Sequence, residues 1–213
     1  TVQSILAKSG HINHKYLKES ESDKKAVIVV TANRGLAGGY NSNITRMIID
    51  EGFTKENTVV YAVGKKGREL LERKGYEIKA DYSEAINDPI YKDAKEICDD
   101  VLSAFADGEV GEIYLAYTVF KNTVVHEPQL IRLLPVEADD AAHETDGSEA
   151  LMTYEPSEEE ALDMIIPKYV CSLVYGALIE SVASENGARM QAMDSATSNA
   201  EEMISNLELA YNR

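Results

Sequence analysis

Residues 157 to 212 carry a helical pattern interrupted once, at Pro167. Proline lacks the backbone N–H and crowds the preceding turn, so it opens a helix more readily than it sits inside one. The pattern therefore predicts a short helix from Ser157 and a second from about residue 167, which at ~45 residues would be ~65 Å long. A small domain has no use for such a rod, and one this long belongs to a coiled coil or a repeat. Ala192, Ala196, Ala200, Met203, Leu207 and Ala210 step by 4, 4, 3, 4 and 3, close to a heptad seam. Upstream, Val170, Val174, Ala177, Ser181, Ser184 and Ala188 form a stripe of mostly small residues, which permits close helix approach. Val2, Ile5 and Leu6 mark the end of another helix before Gly10. That segment supplies about two or three turns, too few to face the seam.

The rest of the chain alternates. Residues 26–32 read as a strand, 42–52 as a helix with Ile44, Met47 and Ile48 inward, and 58–63 as a buried strand. A helix over 65–74 stops at Gly75, a short strand follows at 76–79, and 90–106 reads as a helix with Ile90, Ala94, Ile97, Val101 and Phe105 on one face. Strands 112–120 and 124–134 flank the tight joint Lys121-Asn122-Thr123, which implies an antiparallel hairpin. Strand–helix alternation followed by a hairpin argues for an α/β fold, a Rossmann-like, mostly parallel sheet with helices on both faces. The expected organisation is residues 1–10 as a helix end, 24–136 as the α/β domain, 137–156 as an acidic loop and 157–213 as the helical shaft. Between residues 133 and 167 there are acids but no Lys or Arg, as suits a solvated loop and an acidic helix start.

The net charge of -16 argues against nucleic acid and anionic lipid as partners, since no basic patch offsets it. Cys98 and Cys171 are isolated and form no CxxC, which fits a reducing compartment. No apolar run approaches membrane-spanning length, so direct membrane insertion is not expected, and no secretory leader pattern is present.

The stretch VVTANRGLAGGYN, residues 29–41, resembles the mouth of a nucleotide site. Its glycines do not match GxGxxG or a Walker loop. The acid that a ribose requires after the second strand is replaced by Gly64-Lys65-Lys66. Gly35, Gly38 and Gly39 are better read as a structural turn needing unusual dihedrals and close packing, with Arg34 tied to a neighbouring carboxylate. The alternative is a small-molecule- or nucleotide-binding enzyme using the Gly35–Gly39 loop. His11 and His14 lack supporting metal ligands, there is no GxSxG elbow, and no catalytic residue, cofactor or metal is assigned.

RGLAGGYNSN, residues 34–43, and ASENGARMQAMDSATSNAEEMISNLELAYNR, residues 183–213, resemble the signature turn and C-terminal helix of the gamma subunit of F-type ATP synthases. YEPS, residues 154–157, is similar to that family's turn before its long helix. The resemblance spans essentially the whole chain. It implies a rotor that does no bond chemistry, as the non-catalytic subunit of a proton- or sodium-translocating ATP synthase. In that family an N-terminal and a C-terminal helix form a coiled-coil shaft inside the ring of alpha and beta subunits. A Rossmann-like domain sits against the epsilon subunit and the membrane c-ring, so this chain is expected at the cytoplasmic face of a bacterial plasma membrane, peripherally bound. Tyr154, Glu155 and Pro156 would then face the c-ring and epsilon.

The family chain begins with a long basic helix near whose end Thr1 falls, and its last helix continues past Asn212-Arg213. The expectation is thus of a foot and lower shaft. Asn33 stands where the family commonly has an acid, Pro167 lies where it is usually free of proline, and the cysteine pair of chloroplast relatives is missing, so thiol regulation is not expected.

Overall fold

The computed structural model describes residues 14–18, 20–136 and 157–212. Five strands form one sheet: β1 (Lys25–Val30), β2 (Thr58–Val63), β3 (Glu77–Asp81), β4 (Glu112–Phe120) and β5 (His126–Leu134), in the order β3-β2-β1-β4-β5. β1 pairs in parallel with β2 and β4, and β2 with β3, while β4 and β5 are antiparallel. Among the described residues, four α-helices accompany it, α1 (Tyr40–Asp50), α2 (Lys65–Arg73), α3 (Tyr91–Ala106) and α4 (Glu158–Tyr211), with a 3-10 turn at Ser83–Ile86.

β1 is central and valine-rich, and its alternate side chains enter opposite cores, as the two-residue period of a strand requires. Ala26, Ile28 and Val30 join Ala94, Ile97 and Val101 of α3 and Leu162, Ile166, Val170 and Val174 of α4. Val27 and Val29 face the other way, against Ile44 and Ile48 of α1 and Leu71 of α2. The mixed sheet with helices on both faces agrees with the sequence. Cys98 and Cys171 are free thiols in the first core, and burial pushes the Cys98 thiol well above its ordinary value.

Three expectations are corrected. Pro167 does not divide the shaft, because α4 is one helix of 54 residues that contains it. An internal proline costs about 3 kcal/mol. Leu162 and Ile166 before it and Val170 and Val174 after it are all buried in one core, and at ~1.5–3 kcal/mol each they outweigh that cost. The helix starts where expected, with Ser157 Oγ accepting from Glu160 N at 3.2 Å. Second, the small-residue stripe Val170, Val174, Ala177, Ser181 and Ser184 is buried against this chain's own β4 and α3, not against another rod. By length and composition α4 is apolar enough to cross a membrane, where the sequence reading saw no run of that length, and part of that stretch is buried in this core. Third, Ile90 is 51% exposed. Its backbone is extended and its N–H donates to Asp93 Oδ2 at 3.0 Å, so α3 begins one residue later and the side chain points out.

The first turn of α2 is held by the end of β1. Lys65 N donates to Asn33 Oδ1 at 3.0 Å, Lys66 N to Ala32 O at 3.0 Å and Gly67 N to Thr31 Oγ1 at 2.8 Å. N–H groups that a phosphate would otherwise use are satisfied by the chain itself. Gly64 stands where a dinucleotide site keeps its acid, and the reason is steric: its φ is 122°, and an added Cβ would lie 2.1 Å from Thr31 O. Asn33 Nδ2 also donates to Ser83 O at 2.7 Å and Asn87 Oδ1 at 2.9 Å.

At the far end of the domain, buried His14 accepts from Tyr16 N at Nδ1, and its Nε2 lies 3.1 Å from Asp163 Oδ1. Lys15 Nζ is 2.9 Å from the same oxygen. Both ring nitrogens of His14 are thus engaged within the protein, and His11 lies outside the described residues, as do the expected segments 1–10 and 137–156.

Two outcomes follow from these contacts. Gly64→Ala should destabilise the domain by about 3 kcal/mol or more in guanidinium unfolding, since both dihedral strain and a backbone clash oppose it. The Lys15 hydrogen bond, opposed by partial burial and helped by His14, holds the Asp163 carboxyl below its ordinary value. A carboxyl depressed in the folded state stabilises above its unfolded value of about 3.9 and loses that contribution as pH falls through the folded value. Asp163→Asn should therefore flatten the acid limb of the stability–pH curve below about pH 4, by no more than about 1 kcal/mol for so exposed a pair.

Candidate functional site

In open α/β sheets the crevice beyond the strand ends, where strand order reverses, is the usual ligand site. Here it lies between β1 and β4, the two strands from which the glycine loop and the hairpin continue. Its occupant is α4.

The loop is built for that contact. Asn41 does not cap α1. Its Oδ1 accepts from Ala32 N at 2.8 Å and its Nδ2 donates to Arg34 O at 3.3 Å, closing the turn, while Gly39 occupies the cap position without a side-chain bond. Of the three glycines only Gly38 has a left-handed φ, 56°, and Leu36, 76% exposed, takes another at 61°. An added Cβ at Gly39 would press on the Asn43 side chain at 3.0 Å, and one at Gly35 would meet nothing within 4 Å. The expectation that all three glycines are required is therefore corrected for Gly35.

Tyr40 OH donates to Ser181 O at 3.0 Å, and burial pushes its phenol well above the ordinary value, so it remains a donor. Ala188 packs on Ala32, Ala37 and Tyr40. Arg189 Nη1 binds Glu185 Oε1 at 2.6 Å and Nη2 donates to Gly35 O at 3.3 Å. Arg34, expected to tie the loop to a carboxylate, is exposed and has no ion pair among the described residues. Arg189 does that work, from the opposite partner.

The β4–β5 hairpin meets the same stretch of α4. Ser184 Oγ donates to Thr118 O at 3.1 Å, and Phe120 N donates to Glu180 Oε1 at 3.2 Å. Gly187 lets the hairpin lie close, since a Cβ there would come within 2.5 Å of His126 Nε2. Sequence reasoning missed Tyr40, Glu180, Gly187, Arg189 and His126. The available signal was weak: Gly187 stands inside a helical pattern, but so does Gly176, where an added Cβ would meet nothing within 4 Å.

Beside this grip a cleft of about 410 Å³ opens between loop, hairpin and helix, lined by residues including Gly38, Asn43, His126, Gln191 and Ser195 and by no Lys or Arg. It offers an anion no countercharge. The shaft seam runs out past it. Ala192 lines the cleft, while Ala196, Ala200, Met203 (65%), Leu207 (67%) and Ala210 are exposed. Tyr154, Glu155 and Pro156 lie outside the described residues.

In denaturant titrations, Tyr40→Phe should cost about 1 kcal/mol, the net worth of one buried hydrogen bond. Gly38→Val should cost about 1–2 kcal/mol for its left-handed backbone, whereas Gly35→Ala should stay within about 0.5 kcal/mol.

The loop and the helix segment that meet here are also the two stretches that carry the family resemblance. A sequence model of the ATP synthase family matches residues 1–213. The chain is similar to the ATP synthase gamma chain of Lachnoclostridium phytofermentans, 62% identical over 219 residues that cover 100% of this chain and 75% of that one. It is also similar to the sodium-ion-specific ATP synthase gamma chain of Acetobacterium woodii, 39% identical over 229 residues, with 100% and 76% covered. Among solved structures, a chain of the central stalk and c-ring of Tetrahymena thermophila mitochondrial ATP synthase superposes with a TM-score of 0.64 over 92% of each chain, at 22% identity, a likeness of fold. With the family matched from end to end, the chain belongs to the gamma chains of F-type ATP synthases, the subunit of the central stalk.

Proposed function

We propose that the chain is the non-catalytic rotor of an ion-translocating ATP synthase and carries torque between the membrane c-ring and the ring of alpha and beta subunits. The observation that carries this reading is the end of α4. Beyond Arg189 the helix runs on for roughly 20 residues, ~30 Å, and Met203, Ile204 and Leu207 are more than half exposed. Apolar groups of this size are worth ~1.5–3 kcal/mol each when buried, so they suit a rod enclosed by other chains. The α/β domain is the foot. The acidic turn Tyr154-Glu155-Pro156 faces the c-ring, and epsilon packs beside the domain. The subunit sits peripherally at the cytoplasmic face of a bacterial plasma membrane.

Co-expression with alpha and beta subunits tests this. Wild-type chain should co-purify with the ring, whereas Met203→Asp with Leu207→Asp should lower recovery at least tenfold, the factor set by losing about 1.4 kcal/mol or more of contact. The foot domain of that variant should unfold as in wild type. In the complete complex, Glu155→Cys should cross-link to the c-ring loop. Cross-linking to alpha or beta alone would displace the turn from the foot.

A further inference from the structure

Cys98 and Cys171 are far apart in sequence and on different helices, yet they meet in the fold. Cys98 stands on the buried face of α3 with Ala94, Ile97 and Val101, and Cys171 on the buried face of α4 with Val170 and Val174. The two faces form one core, in which Cys98 is 1% and Cys171 4% exposed. The Cys171 thiol is a direct neighbour of Cys98 and, after burial, adds to the causes that push the Cys98 thiol up. Packed helix axes lie about 8–10 Å apart, with Cα atoms about 2.3 Å off each axis. Facing residues on such helices therefore bring their Cα atoms to roughly 4–6 Å, within the span of a disulfide.

The approach from solvent leads to Cys171. The Tyr91 hydroxyl reaches its sulfur, and that contact pushes the phenol above its ordinary value, so the group remains a donor. The Tyr91 ring is 46% exposed and stands edge-on to Tyr175, with centroids 5.9 Å apart. Tyr91 thus lies between Cys171 and water, and Cys98 lies deeper. The two charges that act on Cys98, Asp99 and Lys95, are of opposite sign and bonded to each other at 2.6 Å, so they set no net charge against the sulfurs. Burial disfavours the thiolate that reacts, which makes such a pair slow. It does not penalise a neutral disulfide, and it shields that bond from reductants once formed.

We propose that Cys98 and Cys171 are a dithiol that hydrogen peroxide closes to a disulfide, joining α3 to α4. The Cys171 sulfur attacks one peroxide oxygen and the O–O bond breaks. The other oxygen takes the thiol proton and leaves as water, and Cys171 becomes a sulfenic acid. The Cys98 sulfur then attacks Cys171 Sγ, the S–O bond breaks, and the hydroxyl leaves with the Cys98 proton as a second water. The two thiols lose two electrons, and the peroxide that receives them is reduced to water. The pair closes whether or not the shaft turns, and the bond pins α4 to the helix beside it.

The test exposes the full-length chain to hydrogen peroxide, blocks remaining thiols with N-ethylmaleimide and digests without reduction. A peptide linking Cys98 to Cys171 should account for most of the cysteine oxidation, and dithiothreitol should reverse it. The linked chain should melt about 5 °C or more above the same sample after dithiothreitol, since the bridge closes a long loop of the unfolded state. Methionine oxidation is common to both samples and drops out of that comparison. With dimedone present, Cys98→Ser should carry the label on Cys171, whereas Cys171→Ser should leave Cys98 unlabelled. Tyr91→Ala, which removes the cover, should speed closure several-fold. Met203, 65% exposed, reports in the same digest that the peroxide acted. Sulfoxide at Met203 with no linked peptide would overturn the pair, as would a linked chain that melts below the reduced one.

Discussion

The structure depends on how closely α4 approaches the sheet and its loops. Ser181, Ser184 and Gly187 put little or no side chain between the helix and its surroundings, so backbone carbonyls of Ser181 and Thr118 come within hydrogen-bond reach of Tyr40 and Ser184. Larger residues there would move the helix off the strand ends and separate it from both the loop and the hairpin. Dense interiors transmit such displacements instead of absorbing them.

That approach also explains why a sheet so close to a dinucleotide-binding topology is used differently. The crevice at the reversal of strand order is filled by a helix of the same chain. The donors that phosphates use elsewhere are consumed, those of α2 by Thr31, Ala32 and Asn33. Gly64 replaces the ribose-binding acid because Thr31 O occupies the space where its side chain would begin. The loop has kept the form of a ligand turn while its partner is protein.

Much of the fold was legible from local periodicity. The β-branched run of β1, the tight joint before β5 and most of the apolar face of α3 each follow from residues on one element, and the mostly parallel sheet follows from the alternation of strands and helices. The errors lie where a distant partner decides. Pro167 reads as a break because its cost is local, whereas the burial that offsets it comes from residues far away in sequence. Ile90 reads as core until Asp93 sets the helix start. Arg34 sits in the loop motif, but the guanidinium that reaches the loop is Arg189, 154 residues on from Gly35.

The sequence by itself determined the α/β class, a long C-terminal helix as a rod, the apolar seam along it and, through two motifs, the family. Those properties repeat along the chain or are written in contiguous residues. Tertiary structure alone decided that the glycine loop's ligand is α4, that the small-residue stripe faces a sheet, and that Gly187 makes room for His126. Those choices depend on which surfaces meet at van der Waals distance, and a linear pattern records the size and polarity of each side chain but not its partner.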